Sequence, residues 1–298
     1  MVVIGRRSIG DTVFVVVNYT ILTLFFLLCI YPFYYIFIYS ISDPKEAAKG
    51  LSVLFLPVKP TLSNYVEVFK MDGIVHATFI SVARTVIGTL ITVVCCGFFA
   101  YLVTKPLYFR KFIYRMMIVT MYVGGGLIPW YVTMRMYHMY NNFLVYVIPS
   151  ALSAMNVILI KTFIEQLPAS LEESARLDGA GYMRIFLQII APLSKPILAT
   201  IVVFSAVGQW GSWFDNYILV TPENLKTIQL MLYDMVRRAN VISNATNIAA
   251  QLAAMDEKMT PMAIRMTVTM VVTFPIILVY PFMQRYFIKG IMMGAIKG

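Results

Sequence analysis

Six apolar runs divide this sequence, near Val13–Tyr39, Ala77–Val103, Phe112–Met134, Phe143–Phe163, Ile197–Phe214 and Ile264–Phe287. A bilayer core needs roughly 20 apolar residues to be crossed by a helix, and in lipid a spanning backbone must satisfy its own hydrogen bonds. The chain therefore reads as an all-α membrane protein with six transmembrane helices. Composition agrees, since 60% of the 298 residues are hydrophobic and 13% charged, about half the roughly 25% charged share of a soluble domain. Little is left for a soluble domain, so residues 1–298 read as a single transmembrane domain. The third run is interrupted by Gly124-Gly125-Gly126 and Pro129, and the fifth is short. Val13–Tyr39 is too long for a cleaved leader and no small-residue cleavage site follows it, so it reads as a retained first helix.

Basic residues orient the runs. Arg6 and Arg7 precede the first, and Lys105, Arg110, Lys111 and Arg115 crowd the turn after the second. Lys161, Arg176, Arg184 and Lys195 mark the fourth connection, and Arg285, Lys289 and Lys297 the tail. The positive-inside rule places these segments in the cytoplasm, both termini included. The longer connections, near 40–76 and 211–263, carry mixed charge and fall outside. The net charge of +10 is spread between apolar runs rather than along one face, which argues against a nucleic-acid partner.

Between the fourth and fifth runs lies a polar island, 165–195, predicted to be a cytoplasmic two-helix loop. Ser170-Leu-Glu-Glu173 has the Ser-x-x-Glu form of a capping box, which predicts a helix starting near Leu171. Gly179 or Gly181 ends it, because glycine adopts positive φ without steric cost. A second short helix runs from Tyr182 to Ile190, and Pro192 and Pro196 redirect the chain into the next run. Met183, Phe186 and Leu187 then offer an apolar side to a partner's groove.

These residues resemble a known motif. Glu173-Ser174-Ala175, three residues, Gly179, nine residues, then Ile189, Ile190, Ala191 and Pro192 is similar to the EAA loop of ABC-importer permeases. Ser174 stands where the first Ala is usual and Ala191 where Leu is usual. The resemblance covers most of the chain. Gly125-Gly-Leu-Ile-Pro129, Ala191-Pro-Leu-Ser-Lys-Pro196, Gln209-Trp-Gly-Ser-Trp-Phe214, Tyr286-Phe-Ile-Lys-Gly290 and Gly294-Ala-Ile-Lys-Gly298 look like the maltose-type, carbohydrate-uptake branch, nearest its oligosaccharide and polysaccharide subgroup. The resemblance implies that Glu172, Glu173, Ser174, Ala175, Asp178, Gly179, Met183 and Phe186 couple the chain to an ATPase. It further implies two ATPase subunits, a second homologous permease, an extracytoplasmic solute-binding protein and a place in a bacterial cytoplasmic (inner) membrane, among membrane lipid. The tail, 294–298, would reach the ATPase, or fray as a cationic end. The external loop, 211–263, would enter the sugar cleft of the binding protein.

No Gly-x-x-x-x-Gly-Lys-[Ser/Thr] occurs, so the chain has no phosphate-cradling loop of its own. It is read as a transport subunit without a cofactor, with ATP and Mg held by the partner ATPases. The predicted spans contain no Asp or Glu. A proton- or sodium-coupled carrier commonly needs an acidic relay at that depth, which weighs against an ATP-independent secondary carrier. The other alternative is a permease of the same superfamily for a non-sugar solute.

Candidate solute contacts are Arg84, Trp130, Trp210, Trp213, Phe214 and Tyr217. Sugars stack their C–H faces on aromatic rings, so the tryptophan cluster has two readings, a sugar path or an interfacial belt. Arg84 also has two, facing a water-filled path or snorkelling to the interface. Asn216, Asn224, Asn240, Asn244, Asn247, Gln229 and Gln251 supply hydrogen-bonding groups in the external loop. Arg84, Arg135, Lys226, Arg237 and Arg238 would favour an acidic, uronate-type polymer. Cys29, Cys95 and Cys96 lie in apolar runs and read as small hydrophobes. His76 and His138 lack companions at ligand spacing, and the sequons at Asn18 and Asn244 are short enough to be chance.

Overall fold

A computed structural model describes residues 9–48, 55–244 and 260–295, with side chains assigned except over 239–259 and 282–295. Arg6, Arg7, Asn247, Gln251 and Lys297 lie outside the described residues, as do the side chains of Asn240, Asn244, Arg285 and Lys289. The described residues form helices and connections, with no strand among them. The chain divides into two compact units, 1–70 with 235–271, and 71–234 with 272–298.

In the first unit, α1 (Ile9–Ser40) is long and apolar enough to cross a membrane, and its apolar stretch buries nothing inside the chain. Its last turn is buried at Ile38, Tyr39 and Ser40, where the chain turns into α2 (Pro44–Ala48) and α3 (Ser63–Lys70). Asn64 fixes that turn. Its fully buried amide donates to the carbonyls of Ser40 at 2.9 Å and Ser42 at 2.8 Å. The Ser40 carbonyl ends a helix and has no intrahelical donor, and Ser42 lies in the turn beyond it, so Asn64 supplies what the backbone lacks. The Ser42 hydroxyl donates to Ile38 O at 2.6 Å and accepts from Val58 N at 3.1 Å.

The second unit is built on α4 (Ile74–Thr104), an unbroken 31-residue helix. It is followed by α5 (Arg110–Tyr122), α6 (Leu127–Met136), α7 (Leu144–Val147), α8 (Ala154–Ile164), α9 (Ser170–Leu177) and α10 (Tyr182–Ile185). A π-helical turn, Phe186–Ile190, leads into α11 (Ala191–Leu193), α12 (Lys195–Gly211), α13 (Phe214–Leu219) and α14 (Ile228–Asn244). The last helix, α15 (Pro261–Ala295), begins in the first unit and belongs to the second from Val272. One face of α4 is lined by Gly88, Thr89, Thr92, Cys96, Gly97 and Ala100, all buried or half-buried. Such small side chains let neighbouring helices approach closely where lipid supplies no hydrophobic drive between them. Cys96, Tyr101, Val157, Ile160, Phe186 and Ile201 form the larger apolar cluster.

Helices α1, α4 and residues 261–281 of α15 are long and apolar enough to span, and Tyr182–Leu193 with Lys195–Gly211 forms a fourth candidate bent by 85°. The third and fourth apolar runs are not single helices. Gly124-Gly125-Gly126 separates α5 from α6, with Gly126 at φ +83°, and residues 148–153 separate α7 from α8. The first part of the expected external loop is also helical, since α13, a 3-10 turn at Glu223–Leu225 and α14 follow one another closely.

Replacing Asn64 with Ala leaves two carbonyls without a donor, a loss of about 1–3 kcal/mol for each unsatisfied buried group. The Asn64→Ala protein should melt several degrees lower in detergent, and Asn64→Asp, which has no amide donor, should melt as low. An unchanged melting temperature in both would show that Asn64 does not hold the turn.

Candidate functional site

Two sites emerge from the second unit, a surface hairpin and a polar cavity. The hairpin comprises α9, α10 and the π-helical turn. Helix α9 begins without its capping box. Ala169 stands at the cap in helical conformation, no side chain caps the end, and Glu172 N and Glu173 N donate to Ala169 O at 3.0 and 3.2 Å. Pro168 presets the first turn, so Ser170 already lies inside the helix, where its hydroxyl cannot cap.

The glycine break falls at Gly179, with φ +78°. Gly179 N donates to Arg176 O and Ala180 N to Ala175 O, both at 3.0 Å. This 5→2 and 6→1 pair is a Schellman motif. Ala175 and Ala180 both pack on the apolar cluster. Gly181, the other candidate, is extended at φ −77° and starts α10.

The hairpin's faces differ from the sequence expectation at two residues. Glu173, Ser174, Asp178, Gly179 and Met183 are exposed and Ala175 is half-buried. Phe186 is buried at 6% exposure against Tyr101 and Phe98 of α4, with ring centroids 5.7 and 5.4 Å apart, so it anchors the hairpin instead of facing a partner. Leu187, one residue on, is exposed. Glu172 also turns inward and pairs with Lys105. Neither inversion shows in an amphipathic pattern, because each depends on where α4 ends.

The cavity, of about 280 Å³, is lined by Arg84, Trp130, Tyr146, Ser150, Gln209 and Asp215 among others. Arg84 does not snorkel. It is 3% exposed and pairs with Asp215 through both terminal nitrogens. Its Nε donates to Gln209 Oε1 at 2.9 Å and Nη1 to Ser212 O at 3.3 Å, while the guanidinium lies 4.6 Å from the Tyr146 ring centroid. A cation at this depth would otherwise be costly, and its pairing with a carboxylate cancels the charge. Gln209 Nε2 donates to the Ser150 hydroxyl at 2.7 Å. One amide thus ties α12 to α4 and to the break between α7 and α8. A Cβ at Gly88 would come within 2.5 Å of Gln209 Nε2, so glycine keeps the space that this amide fills.

The break at 148–153 is satisfied from α4. Thr92 Oγ1 donates to Ser150 O at 3.0 Å, Cys96 Sγ lies 3.5 Å from Ala151 O, and Ser153 N donates to Cys96 Sγ at 3.4 Å. Ser205 Oγ, on the cavity lining, is buried without a partner among the described residues. Hydroxyls and amides thus share the cavity lining with the Trp130 side chain. Sequence reasoning missed Asp215 because it stands one residue beyond the predicted fifth run. The available signal was Arg84 itself, since an intramembrane base calls for a nearby acid.

The tryptophans separate. Trp130 lines the cavity and stacks on Phe214 at 6.5 Å and 16°. Trp210 is 8% exposed and donates from Nε1 to Val272 O at 2.9 Å, so it packs against the last helix. Trp213 stacks on Tyr233 at 4.1 Å, and Tyr217 meets both rings edge-on. Asn216 is buried and accepts from Thr227 N and Oγ1 at 2.8 and 3.0 Å, bracing the start of α14. His76 Nε2 lies 2.7 Å from Asn224 O. No cluster of metal-ligating side chains occurs among the described residues.

No family model matches the chain. Single relatives do. It is 31% identical over 283 residues to the polygalacturonan/rhamnogalacturonan transport system permease protein YtcP of Bacillus subtilis (strain 168), covering 94% of this chain and 96% of that one. The chain belongs to the permease subunits of carbohydrate ABC transporters. Protein LplC of the same organism is 32% identical over 271 residues, 90% of each chain. Among solved structures, a bacterial ABC transporter involved in the import of the acidic polysaccharide alginate matches with a TM-score of 0.85 and 29% identity, over 95% of this chain and 99% of that one. The carbohydrate permease is thus an integral membrane transport subunit, and ATP hydrolysis in such systems is carried out by partner ATPases. A non-sugar solute and an ATP-independent carrier are not favoured by these relatives.

Breaking the Arg84–Asp215 pair from one side leaves a buried charge, which costs about 3–5 kcal/mol. Arg84→Gln and Asp215→Asn should each sharply reduce folded yield from membranes, and the double variant should recover much of it. Additive losses in the double variant would mean that the two residues act separately.

Proposed function

We propose that this permease serves an ATP-driven importer of uronate-containing polysaccharide or its oligosaccharide fragments. The observation that supports this reading most is the agreement in fold, over almost the whole of both chains, with an importer of the acidic polysaccharide alginate. A relative named for polygalacturonan and rhamnogalacturonan points to the same substrate class. In this reading residues 1–298 form one permease domain, residues 165–195 are its cytoplasmic coupling loop, and residues 211–263 meet an extracytoplasmic solute-binding protein. Six crossings fit the helices if α5–α6 and α7–α8 cross as broken spans. Irregular backbone at membrane depth is tolerated where it lines a cavity, and the break at 148–153 does so through Pro149, Ser150 and Ser153. Both termini then lie in the cytoplasm, with the basic residues flanking α4, α5, α8 and α9.

The cavity is the part of the sugar path that this subunit supplies. Trp130 offers a ring face, and Thr92, Ser150, Ser153, Asn156 and Ser205 offer hydroxyl and amide groups. Arg84 already has Asp215 as its counter-ion, so hydroxyl recognition and stacking are its main chemistry. The exposed side of the hairpin, with Glu173, Ser174, Asp178, Gly179, Met183 and Leu187, meets an ATPase that binds ATP and Mg. A second, homologous permease, a second ATPase and surrounding lipid complete the assembly.

Mass spectrometry of what copurifies with the tagged chain from native membranes in mild detergent tests this reading. A second permease with a Walker-motif ATPase is the expected result, and uronic oligosaccharides should outcompete neutral ones for uptake by the same cells. Recovery of the chain alone, or uptake indifferent to uronic competitors, would contradict it.

A further inference from the structure

The two inward-turned residues of the hairpin meet the same helix. Lys105 follows the last residue of α4, and its side chain is 9% exposed. Glu172 stands in the first turn of α9 at 14% exposure, and the two form an ion pair. Lys105 Nζ also lies 4.3 Å from the Tyr101 ring centroid. Three electrostatic effects act together here. A cation at the C-terminus of α4 and an anion at the N-terminus of α9 each complement their own helix dipole, and in a poorly hydrated setting they complement each other. Arg110 Nη1 donates to the carbonyls of Thr104 and Lys105 at 3.2 Å each, closing the end of α4. The hairpin's second arm is held by the same turns of α4, through Tyr101 and Phe98 against Phe186 and through Tyr101 beside Tyr182 at 6.4 Å.

At its other end α4 carries Arg84, bound to Gln209 of α12 and to Asp215 of α13. Arg84 and Lys105 are separated by about 30 Å of continuous helix, at 1.5 Å per residue. The hairpin therefore grips one end of a rigid helix whose far half forms a wall of the cavity. The outward carboxylate, Glu173, stays available for a partner, whereas Glu172 is committed inside the chain.

We propose that Lys105–Glu172 is the joint through which displacement of the hairpin is passed to α4, and that α4 carries it to the Arg84–Gln209–Asp215 wall. The inference rests on the reading of the hairpin as the ATPase-coupling loop. Lys105 and Glu172 are positioning residues in this account, since neither touches solute or nucleotide.

The test uses the full complex, with both permeases, ATPases and binding protein, in proteoliposomes. ATP hydrolysis and sugar uptake are read from the same vesicles for wild type, Lys105→Glu, Glu172→Lys and the exchanged double variant. Single variants should still assemble with the ATPases and hydrolyse ATP, while uptake per ATP falls by about tenfold, within the usual range of coupling between sites. The exchanged pair should recover part of that loss, because the restored ion pair then opposes both helix dipoles and sets a lysine beside Arg176, and Lys105→Arg should behave as wild type. Wild-type uptake per ATP in either single variant would overturn the joint. So would an assembled exchanged variant that remains uncoupled. Loss of ATPase binding by Glu172→Lys alone would return Glu172 to the docking surface and overturn it as well. If single variants fail to insert, the exchanged variant decides alone, by the same uptake per ATP. Failure of the underlying coupling reading is distinguishable, because substitution of the exposed Glu173 and Gly179 would then leave ATPase binding and uptake per ATP unchanged.

Discussion

A guanidinium buried among membrane-embedded helices must be neutralised and hydrogen-bonded, and the second unit is organised around meeting that requirement for Arg84. Asp215 supplies the counter-charge, Gln209 accepts from Nε, Ser212 accepts from Nη1, and Tyr146 covers the cation with its ring face. These partners come from α12, α13, the turn between them and α7, so one side chain on α4 sets the relative positions of four helical segments. Removing the pair's charge from either side is expected to be more damaging than removing both, because the penalty falls on the charge left behind. The arrangement also pairs the charges in the cavity, where hydroxyls and amides of Thr92, Ser150, Ser153, Asn156 and Ser205 are set among apolar side chains.

The same helix meets the backbone requirements of lipid. Where the chain between α7 and α8 leaves helical geometry, Thr92 and Cys96 of α4 approach the freed carbonyls, and Gln209 reaches Ser150 through the space that Gly88 leaves open. The irregular backbone between α7 and α8 therefore lies beside the cavity. Helix packing and the cavity lining share the same residues, which explains why α4 combines small side chains, hydroxyls and one arginine on its inward face.

Much of this was legible in the sequence. The first, second and sixth apolar runs became long helices, and the triple glycine marked a real interruption. Gly179 was identified as one of two possible break points, and the Schellman hydrogen bonds select it over Gly181. Other features depended on contacts distant in sequence. The Ser170–Glu173 pattern met the local rule for a capping box, but the turn at Pro168 starts the helix earlier. Phe186 and Glu172 looked like outward residues of a short amphipathic element, and the end of α4 draws both inward. Asp215 escaped notice because its importance comes from Arg84, 131 positions away. Trp210 and Trp213 share a run with Phe214, yet the first packs on Val272 and the second on Tyr233. Composition reports the solvent of each segment, whereas partner choice among aromatic and charged side chains is set by the packed helices.

The central claim is that this chain moves a saccharide only when driven through its hairpin by a partner ATPase. Uptake of a labelled uronic oligosaccharide by proteoliposomes, measured with the full complex and with the chain lacking its ATPases, tests this directly. The account predicts accumulation that requires ATP and the ATPases, and none by the chain alone. Equal uptake by the chain without ATPases or ATP would contradict it.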